Sequence, residues 1–157
     1  MRSRTLQVSV AGLILAVLAG VLLGLGGYTF VYAEGLSYFS PDPKACVNCH
    51  IMRDEYDGWQ KASHHIAATC NDCHIPHDFV GKYTVKARNG FWHSYYFTFQ
   101  NFHEPIQISA GNAAVLQENC ITCHASLTYD IRTLGSAGEP SNNCVRCHAS
   151  VGHGSPR

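Results

Sequence analysis

The sequence predicts a mainly α protein with little or no sheet, made of one N-terminal transmembrane helix and a small following domain of short helices and loops. Three observations predict it. Residues 5–33 contain no charged side chain, a longer apolar run than the 20 or so residues a spanning helix needs. All 8 cysteines fall into four runs of one pattern, Cys-x-x-Cys-His. The chain beyond the apolar run, about 120 residues, is short for a domain that must bury an ordinary side-chain core, because small domains bury proportionately less surface.

The four runs are Cys46-Val47-Asn48-Cys49-His50, Cys70-Asn71-Asp72-Cys73-His74, Cys120-Ile121-Thr122-Cys123-His124 and Cys144-Val145-Arg146-Cys147-His148. In this pattern two thiols add across porphyrin vinyl groups and the histidine sits beneath the iron, so each run reads as an attachment site for one haem c. Paired Cys-x-x-Cys also serves zinc ribbons. Zinc, however, does not require a histidine directly after the second cysteine, and here one follows all four times. No cysteine remains for a disulfide or a catalytic thiol. The short helices and loops are therefore expected to pack around four covalently bound c-type haems. Covalent attachment takes place outside the bacterial cytoplasm, so the domain should face the periplasm. The 46% apolar fraction is inflated by the N-terminal run, and the 14% charged is below the globular norm of about 25%. The formal net charge of zero understates acidity, because every haem brings two propionates. No basic patch of the kind nucleic acid requires is present.

Taken in order, residues 1–5 read as a cytoplasmic tail and 6–33 as the anchor helix. Arg2 and Arg4 precede the apolar run and Glu34 follows it, which orients the N-terminus toward the cytoplasm by the positive-inside rule. A cleaved secretory signal has a shorter apolar region, although Tyr32-Ala33-Glu34 keeps cleavage as an alternative. Gly12, Ala16, Gly20 and Gly24 recur every fourth residue. Such a strip lets helices pair closely, or reflects only that glycine is common in membrane helices. Tyr28, Phe30, Tyr32, Tyr38 and Phe39 form an aromatic cluster where the chain should leave the lipid, which puts the first motif near the membrane surface. Pro41-Asp42-Pro43 is expected to end the helix and turn the chain into that motif. Residues 34–157 would then form the periplasmic domain.

The motifs begin at Cys46, Cys70, Cys120 and Cys144, so their spacings are 24, 50 and 24 residues. Equal outer spacings suggest two dihaem units, about 46–77 and 120–153. The segment 79–105 between them carries Lys82, Lys86, Arg88, Asn89, Gly90 and His93, together with Phe91, Trp92, Tyr95, Tyr96, Phe97 and Phe99. On a helix, Lys86, Asn89 or Gly90, and His93 share one face. The aromatic density suits a helix lying in the membrane interface; packing against haem faces is the plainer explanation. A basic residue and a histidine beside membrane-level aromatics make a quinol pocket, with Lys86 and His93 as its catalytic residues.

Six histidines lie outside the motifs: His64, His65, His77, His93, His103 and His153. Electron-transfer haems of the low-spin type take a second axial ligand, so several of these should bind iron. His64 and His65 are consecutive, so only one would serve a given iron. His153 lies five residues beyond His148 and should ligate a different haem. Met52, two residues after His50, occurs only at the first motif. It is either a packing residue or a thioether ligand, and ligation would raise that haem's potential.

On these residues the chain resembles the NapC/NirT-type tetrahaem quinol dehydrogenases over essentially its whole length: short tail, one anchor, four motifs and Cys-x-x-Cys-His-x-Met at the first. The stretches Cys70-Asn71-Asp72-Cys73-His74-Ile75-Pro76-His77 and Phe99-Gln100-Asn101-Phe102-His103-Glu104-Pro105 are similar to the branch that partners the pentahaem cytochrome c nitrite reductase. The resemblance implies a single-pass protein of the bacterial inner membrane that oxidises menaquinol and forms a hetero-oligomer with that periplasmic reductase. It implies that Met52, in place of His50, ligates the first iron, and that Lys86 lines the menaquinol pocket. His93 stands where some relatives have aspartate, and iron ligation and proton acceptance are both open to it. By the same resemblance His65 pairs with His148 on the fourth haem, and His153 with His124 on the third. His74 holds the second, whose coordination a lysine of the reductase completes. His93, with an unperturbed pKa of about 6.5, is the expected first proton acceptor, and Lys86 is expected to orient a quinol oxygen and stabilise negative charge on it. The rivals are a general donor to other periplasmic reductases, and a tethered electron carrier without a quinol site. A terminal nitrite reductase is opposed by the lack of any Cys-x-x-Cys-Lys run.

Overall fold

The computed structural model describes residues 9–134 and 143–154. The expected tail, residues 1–5 with Arg2 and Arg4, lies outside them. Helix α1 spans Val10–Tyr32, 23 residues, or about 35 Å at 1.5 Å per residue, enough to cross a hydrocarbon layer about 30 Å thick. Ser9 starts it: its hydroxyl accepts the Gly12 N–H at 3.1 Å, satisfying one of the donors that a helix start leaves unpaired. None of its side chains is buried inside the protein, so the whole apolar surface is left for lipid. The helix ends at Tyr32 with Ala33 as its cap, at the boundary expected near residue 33 and well before Pro41-Asp42-Pro43. The Ala33 N–H bonds the Thr29 carbonyl at 2.8 Å. Glu34 then takes a left-handed φ of 51°, which turns the chain out of the helix and into a 3₁₀ turn, Gly35–Phe39. The prolines instead open the next 3₁₀ turn, Pro43–Asn48, where Asp42 caps the Lys44 N–H at 2.9 Å. Proline suits a first helical position because its missing N–H would be unpaired there anyway.

From Tyr38 onward the chain forms a separate compact unit. After a 3₁₀ turn at His50–Met52 come α2 (Arg53–Lys61), α3 (Cys70–His74), α4 (Phe79–Phe99), α5 (Ala110–Cys123), α6 (Ala125–Leu134), α7 (Cys144–Cys147) and α8 (Ser150–His153). Among the described residues there is no strand, as expected of a mainly α chain. Local chemistry sets the starts. Thr69 and Asp72 form a reciprocal capping box before α3. Asp78 accepts the Gly81 N–H at 2.7 Å before α4, and Asn143 accepts the Val145 N–H at 3.1 Å before α7. Gln100, with a left-handed φ of 53°, closes α4.

The two stretches 46–77 and 120–153 pack onto each other, α2 against α8 and α3 against α5, and within the second α5 lies against α7. Among the described residues the buried apolar side chains are only Ile75, Val85 and Ile121, while Ile66, Phe79 and Leu127 stay exposed. Three side chains cannot offset an ordering cost of about 1–2 kcal/mol per residue, so order in this unit has to come from the attachment motifs and their haems. Buried Asn119, 7% exposed, ties the thin core together: its amide donates to the Cys73 carbonyl at 2.9 Å and the Ile75 carbonyl at 3.0 Å, joining α5 to the end of α3.

Candidate functional site

The motif residues suit covalent haem by geometry. In a helix, residues i, i+3 and i+4 share one face. Cys70, Cys73 and His74 lie on α3, Cys120 and Cys123 end α5 with His124 as its cap, and Cys144 and Cys147 make α7 with His148 as its cap. The first motif differs: Cys46 lies in one 3₁₀ turn, Cys49 is an extended link, and His50 opens the next 3₁₀ turn. None of the eight cysteines is in a disulfide. Among the described residues no three His, Cys, Asp or Glu side chains converge as a zinc ribbon requires. The donor set, a Cys-x-x-Cys-His run at each of these places, fits covalent c-type haem. Neighbouring motifs meet in chain order: Cys46 lies beside Cys70, Cys73 near Cys120 and Cys123, and Cys120 near Cys144.

Among the axial candidates, Met52 is half-buried at the start of α2, while His50, His65, His124 and His148 are exposed. The histidine rings that meet, among the described residues, are His74 with His153 at 5.8 Å between centroids and His64 with His124 at 6.0 Å. Burial, reinforced by neighbouring His153, pushes His74 down to about 4, so it is neutral at pH 7, the form that ligates metal. Backbone carbonyls fix two tautomers, because a carbonyl can only accept. His153 donates from Nδ1 to the Glu55 carbonyl at 2.9 Å, which leaves the lone pair on Nε2. His77 donates from Nε2 to the Asp72 carbonyl at 3.0 Å, which removes that nitrogen from ligation. His65 stands edge-on to Trp59 at 4.5 Å, and the Trp59 indole N–H closes the loop by donating to the Ala68 carbonyl at 3.0 Å.

The residues read as a quinol pocket lie on one face of α4, turned toward the segment 38–40. The Tyr38 hydroxyl and His93 Nδ1 share a hydrogen bond of 2.8 Å. The Tyr38 ring lies over Gly90, where an added Cβ would meet it at 3.6 Å, in ordinary contact. Lys86, only 5% exposed, donates to the Ser40 carbonyl at 3.3 Å, and the Asn71 amide donates to the same oxygen at 3.2 Å. The first motif adjoins them. Burial, the largest cause, pushes the Tyr38 phenol up, so it stays protonated at neutral pH. Loss of water around its ring lowers His93 below the ordinary imidazole value. Burial, then the charge of Lys82, lowers Lys86, and Cys46 acts the other way. With Nδ1 engaged by Tyr38, Nε2 is the His93 nitrogen left to meet a substrate or an iron.

Beyond this face, Phe91, Trp92, Tyr95, Tyr96 and Phe99 contact one another in a ladder along α4 and are exposed. A cavity of about 460 Å³ between the α3–α4 connection and α5 is lined by Pro76, His77, Glu118, Asn119 and Thr122. Its position beside the second and third motifs associates it with the attachment region, away from Lys86 and His93.

Sequence reasoning placed Lys86, Gly90 and His93 together but missed Tyr38, which it grouped with residues leaving the membrane. It also missed the Ser40 carbonyl, Asn71, Trp59 and Glu55. Tyr38 meets His93 across 55 residues of sequence, and a backbone carbonyl has no letter of its own, so no local pattern marks either.

Comparison with known proteins supplies the rest. The profile of the NapC/NirT cytochrome c family, N-terminal region, matches residues 6–157. The chain is 46% identical over 113 residues to the cytochrome c-type protein NrfH of Wolinella succinogenes, a match covering 71% of this chain and 64% of that protein, just under two thirds of its length. It is 31% identical over 118 residues to the cytochrome c nitrite reductase subunit NrfH of Nitratidesulfovibrio vulgaris, covering 75% of this chain and 72% of the relative. Among solved structures it is similar to a chain of the cytochrome c nitrite reductase NrfHA complex bound to the HQNO inhibitor, with TM-score 0.64 and 26% identity over 90% of this chain and 93% of that one.

Proposed function

The chain belongs to the NapC/NirT cytochrome c family, and from that premise we propose that it is a membrane-anchored tetrahaem cytochrome that oxidises menaquinol and passes the electrons to a periplasmic reductase, the pentahaem cytochrome c nitrite reductase. Two relatives carry the NrfH name, and the solved relative is part of a nitrite reductase complex that binds HQNO, which supports that partner. The observation that carries the quinol reading is the α4 face on which Lys86, Gly90 and His93 meet Tyr38 and Ser40.

Oxidising one quinol releases two electrons and two protons. When bound, the haems supply one-electron couples that accept those electrons singly and relay them outward. The protein's own residues handle position and protons. Lys86, held by the Ser40 carbonyl, directs its remaining N–H donors at a quinol oxygen and stabilises negative charge as the proton leaves. His93, neutral at pH 7 because its surroundings lower its basicity, takes that proton on Nε2, and the second proton goes to water. For Nε2 to accept, Nδ1 already carries the ring hydrogen and donates it to the Tyr38 oxygen, before the transfer as after it. Tyr38 thus keeps the ring in one orientation through either protonation state.

Met52 is the proposed ligand of the first iron. His74, His124 and His148 are proposed for the others, with His65 opposite His148, His153 opposite His124, and a lysine of the reductase opposite His74. Residues 6–33 anchor the chain with the N-terminus in the cytoplasm and 34–157 in the periplasm. The test of the central reading is anaerobic: a menaquinol analogue added to detergent-purified holoprotein should reduce part of the haem absorbance, and HQNO should block it. No reduction, with dithionite still reducing every haem, would favour a tethered carrier that takes electrons from another protein.

A further inference from the structure

Helix α2 begins directly after Met52 and ends against α8, and the contact is unusually close. An added Cβ at Gly58 would run into the His153 carbonyl, so only glycine lets the two backbones approach this far. At the same contact His153 Nδ1 lies 2.9 Å from the Glu55 carbonyl and 3.3 Å from Glu55 Oε2. One residue therefore presents two acceptors to one ring nitrogen. The carbonyl settles which nitrogen carries the proton, and the carboxylate adds a negative charge behind the ring. No pattern in the sequence points to this pair, because 98 residues separate them.

We infer that Glu55 is a positioning residue for the iron bound by His153: it holds the ring with Nε2 free to ligate and makes that nitrogen a stronger donor. The inference rests on the reading of His153 as an axial ligand. A histidine ligand that donates its other N–H to a carboxylate or carbonyl is fixed in tautomer and orientation and becomes more basic. A more basic ligand stabilises the oxidised iron, so the haem carrying His153 has a lower potential than it would with the ring unsupported. The helix that starts at the first haem's proposed ligand thereby sets the donor strength of a ligand on another haem.

The size of the effect follows from exposure. Both side chains are 37% exposed, so water weakens the interaction, and the expected change lies at the lower end of the 10–100-fold range for such supporting partners. Glu55→Gln keeps the carbonyl and the shape but removes the charge. In the holoprotein it should shift one oxidation equilibrium about tenfold toward the reduced form, about 59 mV upward for a one-electron couple, with all haems still attached. Glu55→Ala, which also keeps the carbonyl, should do the same. His153→Met should change the low-spin electron paramagnetic resonance signal of that same haem. If His153→Met alters one haem while neither Glu55 variant moves its potential, the inference is overturned. If His153→Met leaves every haem signal unchanged, His153 is not a ligand, and the ligand reading falls with it.

Discussion

Replacing Lys86 with Leu separates catalysis from folding in this domain. Lys86 is 5% exposed, and its bond to the Ser40 carbonyl is a long one, 3.3 Å. The carbonyl keeps a second donor, the Asn71 amide at 3.2 Å, so removing the lysine leaves no buried acceptor unpaired. The change also removes a cation whose burial is unfavourable, as the lowering of its pKa records, and puts a shorter apolar side chain in its place. Stability should therefore change by no more than about 1 kcal/mol, the net worth of one ordinary hydrogen bond. The reaction, by contrast, loses a charge-assisted hydrogen bond to the quinol oxygen, worth about 1.5–3 kcal/mol, or roughly ten- to hundredfold in rate. The assay compares wild-type and Lys86→Leu holoprotein at matched haem content, following haem absorbance after anaerobic addition of a menaquinol analogue, with dithionite defining full reduction. Normal quinol oxidation in the variant would remove Lys86 from the site. Slowing that merely tracks lost haem would make the residue structural.

Other expectations follow from the same contacts. Tyr38→Phe keeps the packing over Gly90 but deletes the bond to His93; at about 1 kcal/mol it should slow quinol oxidation about fivefold, and an unchanged rate would free His93 of this support. His93 has its basicity lowered, so its neutral form, and the stability that goes with it, is fully present above about pH 6.5 and lost as pH falls through the lowered value. Quinol oxidation at constant substrate should therefore hold through neutrality and fall only on the acid side, and a fall beginning above pH 7 would assign the limb to another group. Asn119→Ala removes both bonds from α5 to the end of α3 and should lower holoprotein stability by about 2 kcal/mol, measured as a shift in denaturant midpoint. An unshifted midpoint would show that the attachments alone hold α3 against α5.

Local patterns carried much of this architecture. A charge-free run gave α1, the three- and four-residue spacing put Lys86, Asn89 or Gly90, and His93 on one face of a helix if one formed there, as α4 does, and the helical spacing within Cys-x-x-Cys-His explains why three motifs sit at helices. Where reasoning from sequence failed, the deciding chemistry was not local. The turn out of α1 depends on a left-handed Glu34, a conformation that no glycine marks. The pocket depends on Tyr38 and on a carbonyl of Ser40, reached across 55 and 46 residues, and the support of His153 comes from the backbone as well as the side chain of Glu55. In a domain whose own buried apolar core is Ile75, Val85 and Ile121 among the described residues, such contacts follow from where the haem attachments bring the chain, and periodicity does not report them.

The central claim, that this chain takes electrons from quinol without help, is tested most directly by anaerobic mixing of the purified holoprotein with a menaquinol analogue and no partner present. Prompt partial reduction of the haems, abolished by HQNO and slowed at least tenfold by Lys86→Leu, is the predicted result. No reduction by quinol, while dithionite reduces all the haems, would contradict it, whether or not added nitrite reductase restores the reaction.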